Sequence, residues 1–275
     1  MLLRHMYGTR RAAEGRYEEY SGVLQKMGFV KGSASACVFR HAERRLLTSV
    51  HGDDFTTTGP KKHLDWFVEK MKKHYELKES ARLGPGTGDD KEARVLNRVV
   101  RWTRAGLEYE ADPRQAEKLI HDLGLTGSRS TATPGIKQTL EQVEGDKVLP
   151  IQQQRPYRAV GARGNYLAAD RPDVQFAAKE ICRWMSSPTE SGLTALKRLG
   201  RFLEGHRRPV YKYPWQDVHM VDAYSDTDWA GCPRARKSTS GGCLMLGRHP
   251  EPGASVISGG GVLRGGEGFG HGPWV

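Results

Sequence analysis

Two stretches of the sequence that pair carboxylates are candidates for chemistry. Val50-His51-Gly52-Asp53-Asp54-Phe55 sets two adjacent aspartates, Asp53 and Asp54, at what reads as the tip of a β-hairpin. Neighbouring like charges repel, so the pair is costly unless water or a cation neutralises it. A solvated turn needs only Asp and Gly, which are common hairpin-turn residues. A magnesium site for nucleotidyl transfer needs carboxylates that hold metals against the attacking and leaving oxygens. The second place is Ala223-Tyr224-Ser225-Asp226-Thr227-Asp228-Trp229. Alternation along a strand puts Asp226 and Asp228 on one face, which suits a shared divalent cation or the solvated face of an edge strand. The basic run Arg234 to Lys237 follows, facing either phosphates or solvent.

The elements that must position these acids are legible from period and punctuation. Tyr17, Tyr20, Val23, Leu24 and Met27 recur at helical spacing until Gly28 stops them. ACVFRH and RRLLTSVHGDDFTTTG read as strands, the latter folded at Gly52-Asp53. From Lys61 to Leu77, Leu64, Phe67, Val68, Met71 and Tyr75 share a helical face opposite lysines. RVLNRVVRW and GLEYEAD predict a hairpin around Thr103 to Gly106, followed by a short helix opening at Pro113. Gly127 to Gln154, including IQQQ, is polar and broken and reads as a linker. A helix is expected from Pro172 to Met185, and another from a capping box with Ser187 as N-cap. KSTSGGCLMLG then reads as a turn and a return strand.

The bulk numbers narrow the partners. Forty-three Lys and Arg against 32 Asp and Glu give a net charge of +11 over 275 residues, which favours a polyanion such as nucleic acid. Trp66, Trp102, Trp184 and Trp215 suit either base stacking or a core. The four cysteines, Cys37, Cys182, Cys232 and Cys243, form no C-x-x-C pair, so buried reduced thiols are expected. No apolar run approaches the roughly 18 residues of a membrane span, so no membrane partner is expected. The expected location is intracellular, in a cytoplasmic particle or the nucleus.

The order of these pieces resembles the copia-type retrotransposon polyprotein, from mid reverse transcriptase into ribonuclease H. VHGDDF stands where that family carries an aromatic-x-Asp-Asp motif, although His51 and Gly52 depart from it. YRAVGARGNYLAADRPDVQFAAKEICRWMSSPTESGLTALKRLGRFLEG resembles the segment between polymerase and ribonuclease H, and AYSDTDWAGCPRARKSTSGGCLMLG the opening of ribonuclease H. The resemblance implies Asp53 and Asp54 as catalytic metal ligands, Asp226 as the first ribonuclease H ligand with Asp228 beside it, and Mg2+ as cofactor. It implies an RNA/DNA template-primer or an RNA–DNA hybrid as partner. The implied fold is α+β: residues 1–126 as the C-terminal part of a reverse-transcriptase palm and thumb, 127–154 as a polar linker, and 155–216 as a helical connection region. Residues 217–248 would supply the first strands of a ribonuclease H fold, and 249–275 a glycine-rich disordered tail.

Both sites look partial. No aspartate precedes Asp53, and after Asp228 the only acids are Glu251 and Glu267. Two-metal chemistry needs more carboxylates than either pair offers, so the chain is expected to be an inactive fragment of this lineage. The alternative is a non-catalytic basic nucleic-acid-binding protein or an unstable remnant. The tail suggests where the missing glutamates went. Val256 to Arg264, VISGGGVLR, permits the codons GTC ATC AGC GGA GGC GGA GTT CTA CGG. Regrouped one base later, they encode SSAEAEFY, the type of motif with which the resembled family continues. A frameshift between about Arg248 and Ser255 is therefore expected.

Overall fold

The computed structural model describes residues 9–232, 236–250 and 257–258. It is a mixed α+β protein whose chain divides into two compact units, Met1–Ser80 and Ala81–Val275. The expected glycine-rich tail lies outside the described residues except for His249–Pro250 and Ile257–Ser258, and of the basic run Arg234 lies outside them while Arg236 and Lys237 are described.

In the first unit, helix α1 (Arg10–Lys26) is capped by the Thr9 hydroxyl, which accepts from the Ala12 N–H at 3.3 Å. Strands β1 (Val30–Lys31), β2 (Val38–His41), β3 (Leu46–His51) and β4 (Asp54–Thr58) pair antiparallel in sequence order. Helix α2 (Lys61–Met71) follows. Alternation along β3 buries Leu46, Thr48 and Val50 and exposes Leu47, Ser49 and His51. The buried set packs with Tyr20 and Leu24 of α1, Phe29, Phe39, and Phe67 and Met71 of α2. The sheet thus has one apolar face, and the periodic stripes of both helices supply its cover. The second helix ends at Met71, short of the expected Leu77, where the ladder tightens into i→i−3 bonds from the Lys73 and His74 N–H groups to the Lys70 and Met71 carbonyls.

The second unit carries a sheet that sequence reasoning missed in two respects. Arg94 to Trp102, read as one strand, breaks at Leu96-Asn97, where both residues have positive φ (49° and 69°). That pair is a two-residue hairpin turn of the kind that matches strand twist. It joins β5 (Glu92–Val95) to β6 (Arg98–Thr103), which pairs with β7 (Gly106–Glu110) as expected. The fourth strand, β8 (Val210–Pro214), arrives a hundred residues later and pairs antiparallel with β7. Gly106, at φ +156°, meets the Tyr213–Pro214 backbone so closely that a Cβ would lie 2.6 Å from the Pro214 Cα. A side chain there would push β8 away.

Between β7 and β8 run α3 (Pro113–Asp122), α4 (Leu140–Glu144), α5 (Ile151–Ala168), α6 (Pro172–Cys182) and α7 (Glu190–Gly205). IQQQ is no linker but the first turn of α5, whose Tyr157, Val160, Gly161, Gly164, Leu167 and Ala168 are buried at helical spacing. Its glycines are packing positions: a Cβ on Gly161 would sit 3.2 Å from Met185 Cε, and one on Gly164 3.4 Å from Leu199 Cδ2. The N-cap of α7 is Thr189, accepting from the Gly192 N–H at 3.2 Å, not Ser187. Pro188 is held extended instead, because its carbonyl accepts from the Leu149 N–H at 2.8 Å while the Glu190 N–H donates to the Lys147 carbonyl. Leu119, Leu149, Tyr157, Val174, Ile181, Leu196, Leu199 and Leu203 centre this core. The boundaries expected at 126/127 and 154/155 fall inside this second unit, as does that at 216/217.

Two buried acids tie the sheet to the segments that follow α7 and α5. Glu110, 1% exposed, accepts from Arg208 Nε at 2.5 Å and Arg101 Nη1 at 3.0 Å. Asp170, following α5, accepts from Arg98 Nε at 2.8 Å and the Tyr109 hydroxyl at 2.7 Å. Strand β9 (Val221–Asp228) and its return β10 (Thr239–Leu246) form an antiparallel hairpin, to which β11 (His249–Pro250) and β12 (Ile257–Ser258) add two-residue pairings.

Candidate functional site

Asp53 occupies the turn between β3 and β4, and Asp54 opens β4 opposite His51. Gly52 has φ +59°, the left-handed conformation this two-residue turn requires and glycine adopts without strain. That backbone demand accounts for glycine at the position. Because Val50 and Phe55 face the core as a pair, the next pair out, His51 and Asp54, faces solvent. Asp53 is not idle. Its carboxylate forms an ion pair with the Arg16 guanidinium of α1, both side chains remaining largely exposed. Nothing near Asp53 in the sequence announces this partner; the charge that balances it comes from a helix 37 residues earlier.

Asp226 and Asp228 lie on one face of β9, as alternation requires, opposite Gly241 and Thr239 of β10. Their surroundings differ. Asp226 is exposed, while the Asp228 carboxylate accepts from the Thr239 backbone N–H and closes the connection between the strands. The neighbouring Ala230 N–H donates to the Ser238 hydroxyl at 3.0 Å, a second clasp across the connection. Thr239 also accepts at its hydroxyl from Lys179 Nζ of α6 at 2.7 Å, attaching the hairpin to the helical core.

The structure therefore brings Asp53 next to Asp54, and Asp226 onto the same face as Asp228, with the two pairs in separate units. Do these donors fit a pair of magnesium ions? Two-metal centres bracket both ions with several converging carboxylates. Among the described residues no group of three or more His, Cys, Asp or Glu is placed to hold a metal ion. One member of each pair is already engaged, Asp53 by a guanidinium and Asp228 by a backbone donor. Neither donor set fits a two-metal centre, and no catalytic step is derived through one.

The tryptophans sort by environment. Trp184 is core at 7% exposed, and Trp66 is covered by the Arg44 guanidinium 3.8 Å from its ring centroid. Trp102 and Trp215 instead meet each other on the sheet of the second unit, ring centroids 6.1 Å apart. Composition named all four, but only the β7–β8 pairing separates the surface pair from the others. None of the cysteines is in a disulfide; Cys37 is exposed, contrary to the buried expectation, because it precedes β2 in a loop. Among the described residues no helix is long and apolar enough to cross a membrane.

Comparison with known proteins supplies the relationship. The chain is 25% identical over 252 residues to the retrovirus-related Pol polyprotein from transposon RE1 of Arabidopsis thaliana, covering 90% of this chain and 16% of that protein. It is 27% identical over 255 residues to the corresponding polyprotein from transposon RE2 of the same plant, again 90% of this chain and 16% of the relative. With the Pol polyprotein from transposon TNT 1-94 of Nicotiana tabacum it shares 21% identity over 258 residues, 87% of this chain and 18% of the relative. No known family profile matches the chain, and no solved structure matches it. Its span is thus less than a fifth of each of these relatives, and it is a relative of the retrovirus-related Pol polyproteins of copia-type transposons.

Proposed function

We propose that this chain corresponds to the stretch of a copia-type Pol polyprotein running from the reverse-transcriptase palm into ribonuclease H, and that it binds nucleic acid without catalysing polymerisation or hybrid cleavage. In this reading β3–β4 is the polymerase metal hairpin, the helices α3 to α7 form the connection, and β9–β10 opens the ribonuclease H sheet. The observation that carries the loss of catalysis is the engagement of Asp53 and Asp228 by non-metal partners with no third ligand beside either pair among the described residues. Mg2+ belongs to the lineage's chemistry, in which it would activate the nucleophile and stabilise the leaving oxygen.

Binding follows from charge. A chain of net charge +11 gains affinity for a phosphate backbone by releasing condensed counterions, and this term weakens steeply with salt. The test is affinity of the full chain for an RNA–DNA hybrid, measured by fluorescence anisotropy between 50 and 200 mM salt, a window in which a protein making several phosphate contacts loses about 1000-fold or more. Binding that falls in this way, and that Asp226→Asn does not weaken, supports the reading. Absence of binding at the lowest salt overturns it in favour of an inert remnant.

A further inference from the structure

We infer that Trp102 and Trp215 form a base-stacking platform for single-stranded nucleic acid on the sheet of the second unit. The inference rests on the nucleic-acid-binding reading above and gives that binding a place.

Register builds the platform. Trp102 lies opposite Leu107, and Leu107 opposite Tyr213, so the three side chains form one row across β6, β7 and β8 on a single face. Trp215 continues the alternation beyond Tyr213 and is fixed in two ways: its backbone N–H donates to the Ala105 carbonyl at 3.0 Å, and its indole N–H donates to the Thr103 carbonyl at 3.3 Å. The indole is therefore held in place yet 52% exposed. A fixed indole facing water, with its half-buried partner ring inclined 43° to it, is costly to leave uncovered and well suited to stacking a base, since every base offers a π-face.

The rim carries the charge that a phosphate backbone would meet. Lys91 Nζ stands 5.2 Å from the Trp102 centroid, tethered to the carbonyls of Gly84 and Gly86 at 2.6 and 2.8 Å. Arg104, in the β6–β7 turn beside Ala105, is exposed, as is Arg248, whose backbone N–H donates to Gln216 Oε1 at 2.9 Å. The opposing charges nearby are Asp217, two residues beyond Trp215, and Asp89 and Asp90 in the loop that holds Lys91, engaged by the Gly86 and Arg82 backbone N–H groups at 2.8 Å each; Glu108 projects from the other face of the sheet. An apolar protein partner would be served by the rings alone. Cations flanking them favour a strand of nucleotides.

The test is anisotropy of a labelled fifteen-residue oligothymidylate with the full chain and its variants at several salt concentrations. Trp215→Ala is expected to weaken binding roughly 5- to 100-fold at each salt concentration. The slope of log affinity against log salt should stay unchanged, because no cation is removed. Arg104→Ala should instead lower that slope by about 0.7, the value for one single-strand phosphate contact. Trp215→Phe, retaining a ring, should restore most of the affinity, and far-UV circular dichroism of each variant establishes that it is folded. Wild-type affinity in a folded Trp215→Ala variant overturns the platform while leaving general binding intact. Lost self-association in Trp215→Ala, with oligonucleotide affinity unchanged, assigns the surface to protein contact and also overturns it. A wild-type chain that binds neither hybrid nor oligonucleotide removes the underlying reading as well.

Discussion

The hairpins that carry the two acidic pairs are alike in sequence logic and unlike in support. Along β3–β4 one face is sealed: Leu46 and Val50 are 1% and 3% exposed, locked between α1 and α2. Along β9–β10 the corresponding positions are open, with Val221 63%, Leu244 46% and Leu246 42% exposed on one face. The first hairpin is therefore held by a core, and its acid is balanced by an arginine from that core's own helix. The second is held by backbone pairing, by Asp228 closing its connection, and by Lys179. Acid spacing alone does not reveal which hairpin is finished; the burial of the alternate face does.

Substitutions in the two hairpins probe this contrast. The largest effect is expected from Leu46→Ala, which should destabilise the first unit by about 3 kcal/mol through lost burial and an unfilled cavity. Leu244→Ala should change stability by less than about 0.5 kcal/mol, because its side chain is already half in water. Urea denaturation followed separately in each unit compares them, and equal losses would erase the distinction.

Glu110 sets the scale for a carboxylate that is truly built in. Arg208 and Arg101 hold its carboxyl below the usual carboxylate range. Its folded-state pKa is depressed, so its stabilisation is present above the unfolded value of about 4.3 and is lost as pH falls through the folded one. Glu110→Gln should therefore cost about 2 kcal/mol at neutral pH and flatten the acid limb of the stability profile. A pH profile identical to wild type would show that the two arginines contribute nothing.

Smaller still is Asp228→Ala, which removes one acceptor from the Thr239 N–H and should cost about 1 kcal/mol, confined to the hairpin. Hydrogen exchange should quicken at Thr239 while the amides of α5 and α7 keep their protection. Asp53→Asn should be the mildest, within about 0.5 kcal/mol, because Arg16 and Asp53 meet in solvent where ion pairs contribute little. A thermal shift of several degrees on this substitution would mean that Arg16 anchors the turn far more firmly than an exposed pair can.

Much of the first unit was legible because its signals are local. The α1 stripe ending at Gly28, the alternation of β3 and the Gly52-Asp53 turn each specify an element within a few residues. What escaped the sequence was non-local or counter to propensity. Nothing in VYKYP says that it pairs with GLEYE across five helices, and α5 hides behind Pro156, Gly161 and Gly164, which read as breakers, although both glycines serve close packing. The capping box at Ser187 lost to a tertiary bond from Leu149 to Pro188. For the sites, alternation placed Asp226 and Asp228 on one face, whereas Arg16 and the Thr239 amide could be found only in three dimensions. The frameshift expected near Arg248 to Ser255 is a matter for the coding nucleotides, which must regroup into SSAEAEFY if it is real.

We propose that neither acidic pair in this chain is a working metal site. The most direct test incubates the purified full chain with Mg2+ and, in parallel, a primed RNA template with deoxynucleotides and a labelled RNA–DNA hybrid. Intact primer and intact hybrid are expected under conditions where the hybrid is bound. Primer extension lost in Asp53→Asn, or hybrid cleavage lost in Asp226→Asn, would contradict the proposal.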